Sequence, residues 1–222
     1  MLAESYYRSG QTVPAGKSAE RAINLGAASP HIRAILGEYY LTRGDRKKAD
    51  EHLQAAIEED PQNDIVLASR VKRLLRKGQI EEASSLMESV NDPIELPIWK
   101  LCRVWLLQFR GQPEEAHRAL LKVMEEYTAS ALAHVWNVEL LLASGKREKA
   151  LEKNRDLLET FPMPAEQKLR LARVLRSYRE TGRALEIALK LVTSAEIFTA
   201  AHRLAARIYA DEQLPLRAKW HV

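Results

Sequence analysis

The residues able to do acid–base or metal chemistry are scattered along the chain. The six histidines are His31, His52, His117, His134, His202 and His221. No two stand three or four apart, so no helix presents a pair of imidazoles to a metal ion. Each reads as an ordinary surface or groove residue. The acidic pairs Glu58-Glu59, Glu81-Glu82, Glu114-Glu115 and Glu125-Glu126 are adjacent in sequence and diverge around a helix. They suit solvated faces or the electropositive starts of helices. Cys102 is the single cysteine, which excludes an internal disulfide and a multi-cysteine metal site. It lies in an apolar stretch near Trp99 and Trp105, where burial outweighs reactivity. There is no glycine-rich phosphate loop and no nucleophile elbow. The expectation is a segment without catalysis and without a cofactor or metal.

The cations are better organised. Arg70, Lys72, Arg73, Arg76 and Lys77 place five charges in eight residues. Arg170, Arg173, Arg176 and Arg179 recur every three residues and drift slowly round a helix. Both sets suit phosphates, and both equally suit solvated faces paired with acids on a neighbouring element. No aromatic residues alternate with the arginines, which argues against nucleic acid as the partner. The net charge is +4, unevenly spread: residues 1–163 hold 23 Lys/Arg and 24 Asp/Glu, residues 164–222 hold 11 and 6. That asymmetry steers anionic partners toward the C-terminal part.

The elements that position these residues are helical by composition. Of 222 residues, 46% are hydrophobic, 29% charged and only 6% aromatic, with nine glycines and nine prolines. Ala, Leu, Glu, Arg and Lys dominate, all good helix formers. No run of 18 apolar residues exists, so no helical membrane span is expected. The first ten residues are too polar for a signal-peptide core, which tips the expected location slightly toward the cytoplasm.

A period organises the chain. Gly10, Gly44, Gly78, Gly111, Gly145 and Gly182 are separated by 34, 34, 33, 34 and 37 residues. The first five have an alanine five residues later: Ala15, Ala49, Ala83, Ala116 and Ala150. Gly182 departs, with Ile187 at that offset and Ala188 next. The pattern predicts two amphipathic helices per unit, about twelve in all. The glycine closes the first helix in a left-handed conformation, and the alanine sits where the second helix crosses it. Pro30, Pro61 and Pro162 are expected to stop the second helices, with Pro93 and Pro97 at another boundary.

The clearest unit, residues 30–63, contains Leu36-Gly37, Tyr40, Gly44, Ala49, Leu53, Ala56 and Pro61. This resembles the tetratricopeptide repeat, with Arg33 in place of the leading tryptophan. The resemblance implies an all-α fold: a right-handed superhelix of antiparallel helix pairs forming one array over 1–222. Its units would be a partial repeat 1–29, repeats 30–63, 64–96, 97–130, 131–167 and 168–197, and a partial repeat 198–222. The chain then starts and stops inside units, as either a segment of a longer array or an array with degenerate caps.

The family holds a peptide or partner helix against the first helices of successive repeats. Its two-carboxylate clamp is not reproduced: the corresponding places hold Ala34 and Glu38, Ala68 and Lys72, Leu101 and Trp105, Val135 and Glu139. On the family register the groove instead presents Ile98, Leu101, Trp105, Phe109, Leu132, Val135 and Leu142. Such a patch is either a binding surface or helix buried on all sides. Where the family packs an apolar residue, three successive units have Arg70, Arg103 and Asn137. Buried unpaired, the charges would cost several kcal/mol each. They therefore pair with neighbouring acids or face the groove, where they would form a track with Lys100 and His134. Lys72, Arg76 and Arg176 are further candidates on first helices.

The function this implies is protein–protein binding, as a scaffold or adaptor, with an acidic peptide suiting the track. Three alternatives remain. One is an accessory region of a larger enzyme, such as a glycosyl- or sulfotransferase. Another is a module of a bacterial envelope assembly or export system. The third is an RNA-binding α-solenoid. A longer reading frame, an upstream signal or lipid-attachment cysteine, and an RNA-binding assay respectively separate them.

Overall fold

The computed structural model describes residues 2–91, 94–194 and 197–221, so the boundary placed at Pro93 lies outside the described residues. The chain is all-α, with no strand among the described residues. Its contacts divide it into two units, Met1–Ala133 and His134–Val222. The first contains α1 (Leu2–Arg8), α2 (Thr12–Asn24), α3 (Pro30–Arg43), α4 (Arg46–Glu59), α5 (Asp64–Arg76), α6 (Ile80–Glu88), α7 (Pro97–Phe109) and α8 (Pro113–Glu126). Helix α9 (Ala131–Ala143) contains the point of division. The second unit continues with α10 (Arg147–Thr160), α11 (Ala165–Ser177), α12 (Thr181–Leu191), α13 (Phe198–Asp211) and α14 (Pro215–Lys219). The described residues thus form fourteen helices, more than the expected twelve, because short helices form at both ends.

The pairs share one turn. Backbone φ is positive at Gly10, Gly44, Gly78, Gly111, Gly145, Arg179 and Gln213, at 76°, 82°, 74°, 70°, 71°, 64° and 58°. At Gly44 the amide donates to the Leu41 carbonyl, and the next amide, of Asp45, donates back to Tyr40. The same two bonds recur at each of the seven positions; at Arg179 the amides of Arg179 and Glu180 donate to Arg176 and Leu175. This is the Schellman closure, which satisfies carbonyls left over at a helix end.

Arg179 and Gln213 correct the sequence reading. The left-handed residue of the sixth turn is Arg179, 34 residues after Gly145, and Gly182 lies inside α12. The small crossing residue five positions on is then Ala184, which is completely buried, as are Ala15, Ala83, Ala116 and Ala150. A Cβ on Gly182 or on Gly145 would meet no atom within 4 Å, so backbone conformation alone separates the two sites. Gly182→Ala is expected to stabilise the chain by about 0.5 kcal/mol through helix propensity. Gly145→Ala is expected to cost about 1 kcal/mol through left-handed strain. Urea unfolding of the two variants measures both, and equal signs would refute this register.

Pro61 and Pro162 stand two residues past the ends of α4 and α10, as expected of prolines that stop second helices, but Pro30 does not act that way. Helix α2 ends at Asn24, well before Pro30, and Pro30 and Pro97 are the first residues of α3 and α7. Proline is favoured there because the first helical N–H has no partner within the helix. These prolines start first helices; they do not stop second ones.

In the first unit, Ile32, Ile35, Leu36, Tyr39, Leu53, Val66, Leu67 and Leu96 form one apolar core. Val71, Leu75, Ala83, Cys102 and Leu106 form a second, between α5, α6 and α7. The first helices α3, α5 and α7 pack successively, and each of α3, α5 and α7 also packs on the second helix that follows it. In the second unit α11, α12, α13 and α14 pack in the same succession, burying Leu171, Leu175, Ile187, Leu204 and Ile208.

Candidate functional site

Equivalent positions on successive first helices are neighbours. The Lys72 ammonium on α5 pairs with the Glu38 carboxylate on α3, 34 residues earlier. Glu38 is only 2% exposed and shares the same oxygen with Arg76, whose Nη1 lies 3.8 Å away. Two cations thus answer one buried carboxylate. The same offset, one residue shorter, carries Lys72 to Trp105 and Arg76 to Phe109 on α7.

The Trp105 and Phe109 rings stack at 5.9 Å with 23° between their planes. Trp105 is half-buried against the core between α5 and α7, while Phe109 is 50% exposed. Ile98, half-buried two turns earlier, continues this stripe along α7. Leu101, Val135 and Leu142 are buried. They are core residues and leave the candidate surface, because a side chain without accessible area has nothing to offer a partner.

The cationic track does not share this face. Residues two apart on a helix point about 200° apart, so Arg103 faces away from Trp105 and Arg70 away from Lys72. Arg103 is exposed and Arg70 half-buried, and neither meets an acid among the described residues. Lys100 is bound to Glu126 and, at 2.8 Å, to Glu95, with the Tyr127 ring 5.2 Å away. Partial desolvation opposes its charge, but the two carboxylates prevail and raise its pKa. His134 is half-buried, its ring 4.6 Å from that of Phe161. Asn137 is buried, and its Oδ1 has no hydrogen-bond partner among the described residues. Arg176 forms a two-pronged bond with Asp211, at 2.7 and 3.1 Å. Four cations of the predicted set are therefore answered within the chain.

Glu38, which neutralises the α5 cations, carried no such role in the sequence reading; its signal was the 34-residue offset from Lys72. The histidines, unpaired on any single helix, yield one pair in space. The Nδ1 atoms of His202 and His221 lie 2.9 Å apart, one ring donating to the other. Among the described residues, no group of three or more His, Cys, Asp or Glu side chains is placed to hold a metal ion. No helix among them is long and apolar enough to cross a membrane.

Comparison with known proteins agrees with the architecture. The family model for the tetratricopeptide repeat matches residues 100–122, from α7 through the Gly111 turn into α8. No curated protein sequence matches the chain. A tetratricopeptide repeat protein from Parabacteroides merdae superposes with a TM-score of 0.58 at 17% identity, over 92% of this chain and 81% of that one. The Cut9–Hcn1 complex of the APC/C gives 0.56 at 14% identity, over 99% of this chain and 44% of that one. Human IFIT1, solved as a dimer with m7Gppp-AAAA, gives 0.57 at 17% identity, over 99% and 57%. The chain spans about half the length of the last two. With the turn period, the family match over α7 and α8 and these folds in agreement, the chain has an all-α helical-repeat fold of the tetratricopeptide type.

Proposed function

We propose that this chain is a protein-interaction scaffold that holds a peptide or a partner helix on the first-helix face of its first unit, with no catalytic task of its own. The observation that carries the reading is the Trp105–Phe109 stack. A half-exposed phenylalanine braced by a tryptophan, on a helix that buries Leu101, Cys102, Val104 and Leu106, is a rigid anchor point for a partner. Arg76 stands at the equivalent position one repeat earlier and shares its carboxylate with Lys72. That leaves one positive charge in excess beside the rings, which suits a partner segment combining an apolar side chain with an acid. Arg70 and Arg103 belong to another face, so the acidic-track reading is confined to Arg76 and Lys72.

A pull-down with the full chain tests this. Phe109→Glu is expected to reduce capture of specific partners at least tenfold, because it places a charge where an apolar group must seat. Arg103→Glu, on the opposite side of the same helix, is expected to leave capture within twofold. Partners that survive Phe109→Glu unchanged place recognition elsewhere.

A further inference from the structure

We infer that His202 and His221 form a two-imidazole site for a divalent transition ion, Cu(II) or Ni(II), that clasps the C-terminal segment onto α13. The site lies in the second unit and uses no residue of the first-unit face.

The local fold brings the two rings together. Phe198, His202 and Tyr209 stand at successive offsets of four and seven residues on α13 and so share one side of it. Past the end of α13 the Gln213 turn, with φ of 58°, reverses the chain into α14, which packs back on α13. The amides of Trp220 and His221 then donate to the carbonyls of Arg217 and Ala218, so the chain curls once more beyond α14. That curl lays the His221 ring over the same side of α13. It stacks on the ring of buried Tyr209 at 5.5 Å with 24° between planes, and its Nδ1 stands 2.9 Å from that of His202. The Phe198 ring lies 4.3 Å from the His202 ring. Each imidazole is thus braced by an aromatic neighbour.

The chemistry follows from the facing nitrogens. Two Nδ1 atoms this close cannot both carry a proton, so at least one lone pair points into the gap. With both protons on Nε2, two lone pairs do, and a neutral imidazole is the form that ligates a metal. Burial, and then the neighbouring His202 ring, lower the pKa of His221, which keeps it neutral and able to ligate at neutral pH.

The separation selects the ion. Two nitrogens about 2.05 Å from one ion and 2.9 Å from each other subtend about 90°, whereas tetrahedral ligation spreads them to about 3.3 Å. Right-angled nitrogen pairs belong to the tetragonal geometries of Cu(II) and Ni(II) rather than to tetrahedral Zn(II). The ring planes stand at 40° to one another, and a turn of each about its Cβ–Cγ bond directs both lone pairs to one ion. Both rings are only half-buried, so water reaches the remaining coordination positions.

Calorimetric titration of the metal-free full chain with Cu(II), Ni(II) and Zn(II) chlorides tests the site. One equivalent is expected to bind, Cu(II) most tightly, Ni(II) next and Zn(II) most weakly. His202→Gln and His221→Gln should each weaken Cu(II) and Ni(II) binding at least tenfold, while His117→Gln, on α8, should change it less than twofold. Circular dichroism checks that each variant folds. A second measurement needs no variant: electron paramagnetic resonance of the wild-type chain with one equivalent of Cu(II) should show coupling to two imidazole nitrogens. Hydrogen exchange reads the clasp itself, and the amides of 216–221 should slow at least fivefold with Ni(II) in wild type and not in His202→Gln. The inference is overturned if no ion binds saturably, if fewer than two nitrogens couple to Cu(II), or if either glutamine variant binds as wild type does. Zn(II) binding more tightly than Ni(II) would overturn the geometric assignment. Phe109→Glu should leave metal binding unchanged, so failure here and failure of the first-unit face are read separately.

Discussion

Replacing Lys72 with methionine should lower the stability of the folded chain by about 3 kcal/mol. The substitution keeps the length and apolar stem of the side chain and removes only the ammonium. What remains is Glu38, 2% exposed, facing a single guanidinium 3.8 Å away. Breaking a buried ion pair from one side costs about 3–5 kcal/mol, and the residual Arg76 contact places this case at the low end. The neighbourhood offers little relief. Tyr7, beside Glu38, is buried, and its hydroxyl is 3.4 Å from Ser69 Oγ, with burial and the Glu38 charge both raising its pKa. The double variant Glu38→Leu with Lys72→Met removes both charges and should return to within about 1 kcal/mol of wild type, or exceed it. Urea unfolding measures the difference. Cys102 supplies an internal probe, because burial pushes its thiol up to about 12, with Lys72 pulling it down and Glu38 pushing it further up. It should resist alkylation while the unit is folded and react sooner when Lys72→Met opens it. A cost below about 1 kcal/mol would show that Glu38 does not depend on this partner.

The period made most of the fold legible, because a recurring turn needs a residue that tolerates positive φ and glycine does so most easily. Legibility failed where that link between residue type and conformation loosened. At the sixth turn Arg179 adopts the left-handed conformation, and a glycine happens to stand three residues later, so the marker moved while the turn did not. Binding residues were less legible for a different reason. Residue types reveal charge, but only helix register reveals which charges meet. Lys72 and Arg103 looked alike in sequence, yet one lies on a buried carboxylate and the other points into solvent. The apolar run of α7 concealed its own division, since Leu101 and Phe109 are equally apolar while only one of them is accessible.

Gly16→Ala should reverse the usual effect of its type. In an ordinary helix interior this change stabilises by about 1 kcal/mol, because alanine loses less backbone entropy on folding. In α2 the new Cβ would lie 2.1 Å from Tyr39 Cγ and 2.3 Å from Tyr39 Cβ. These atoms are the root of the side chain, so a rotamer change cannot clear them and α2 must move away from α3. Tyr39 is itself confined: it is buried, and its hydroxyl accepts a 2.9 Å bond from Arg43. Overpacking a fixed contact costs about 1–3 kcal/mol, and with the contact at the ring root the upper end applies, leaving a net loss of about 2 kcal/mol. Removing the whole side chain in the same background, with Tyr39→Gly, should recover at least about 1 kcal/mol relative to additivity, because alanine there would keep the Cβ that clashes. Urea unfolding of the four chains closes the cycle. A neutral or stabilising Gly16→Ala would mean that α2 and α3 can separate freely. The close packing of the first two helix pairs would then owe nothing to the missing side chain.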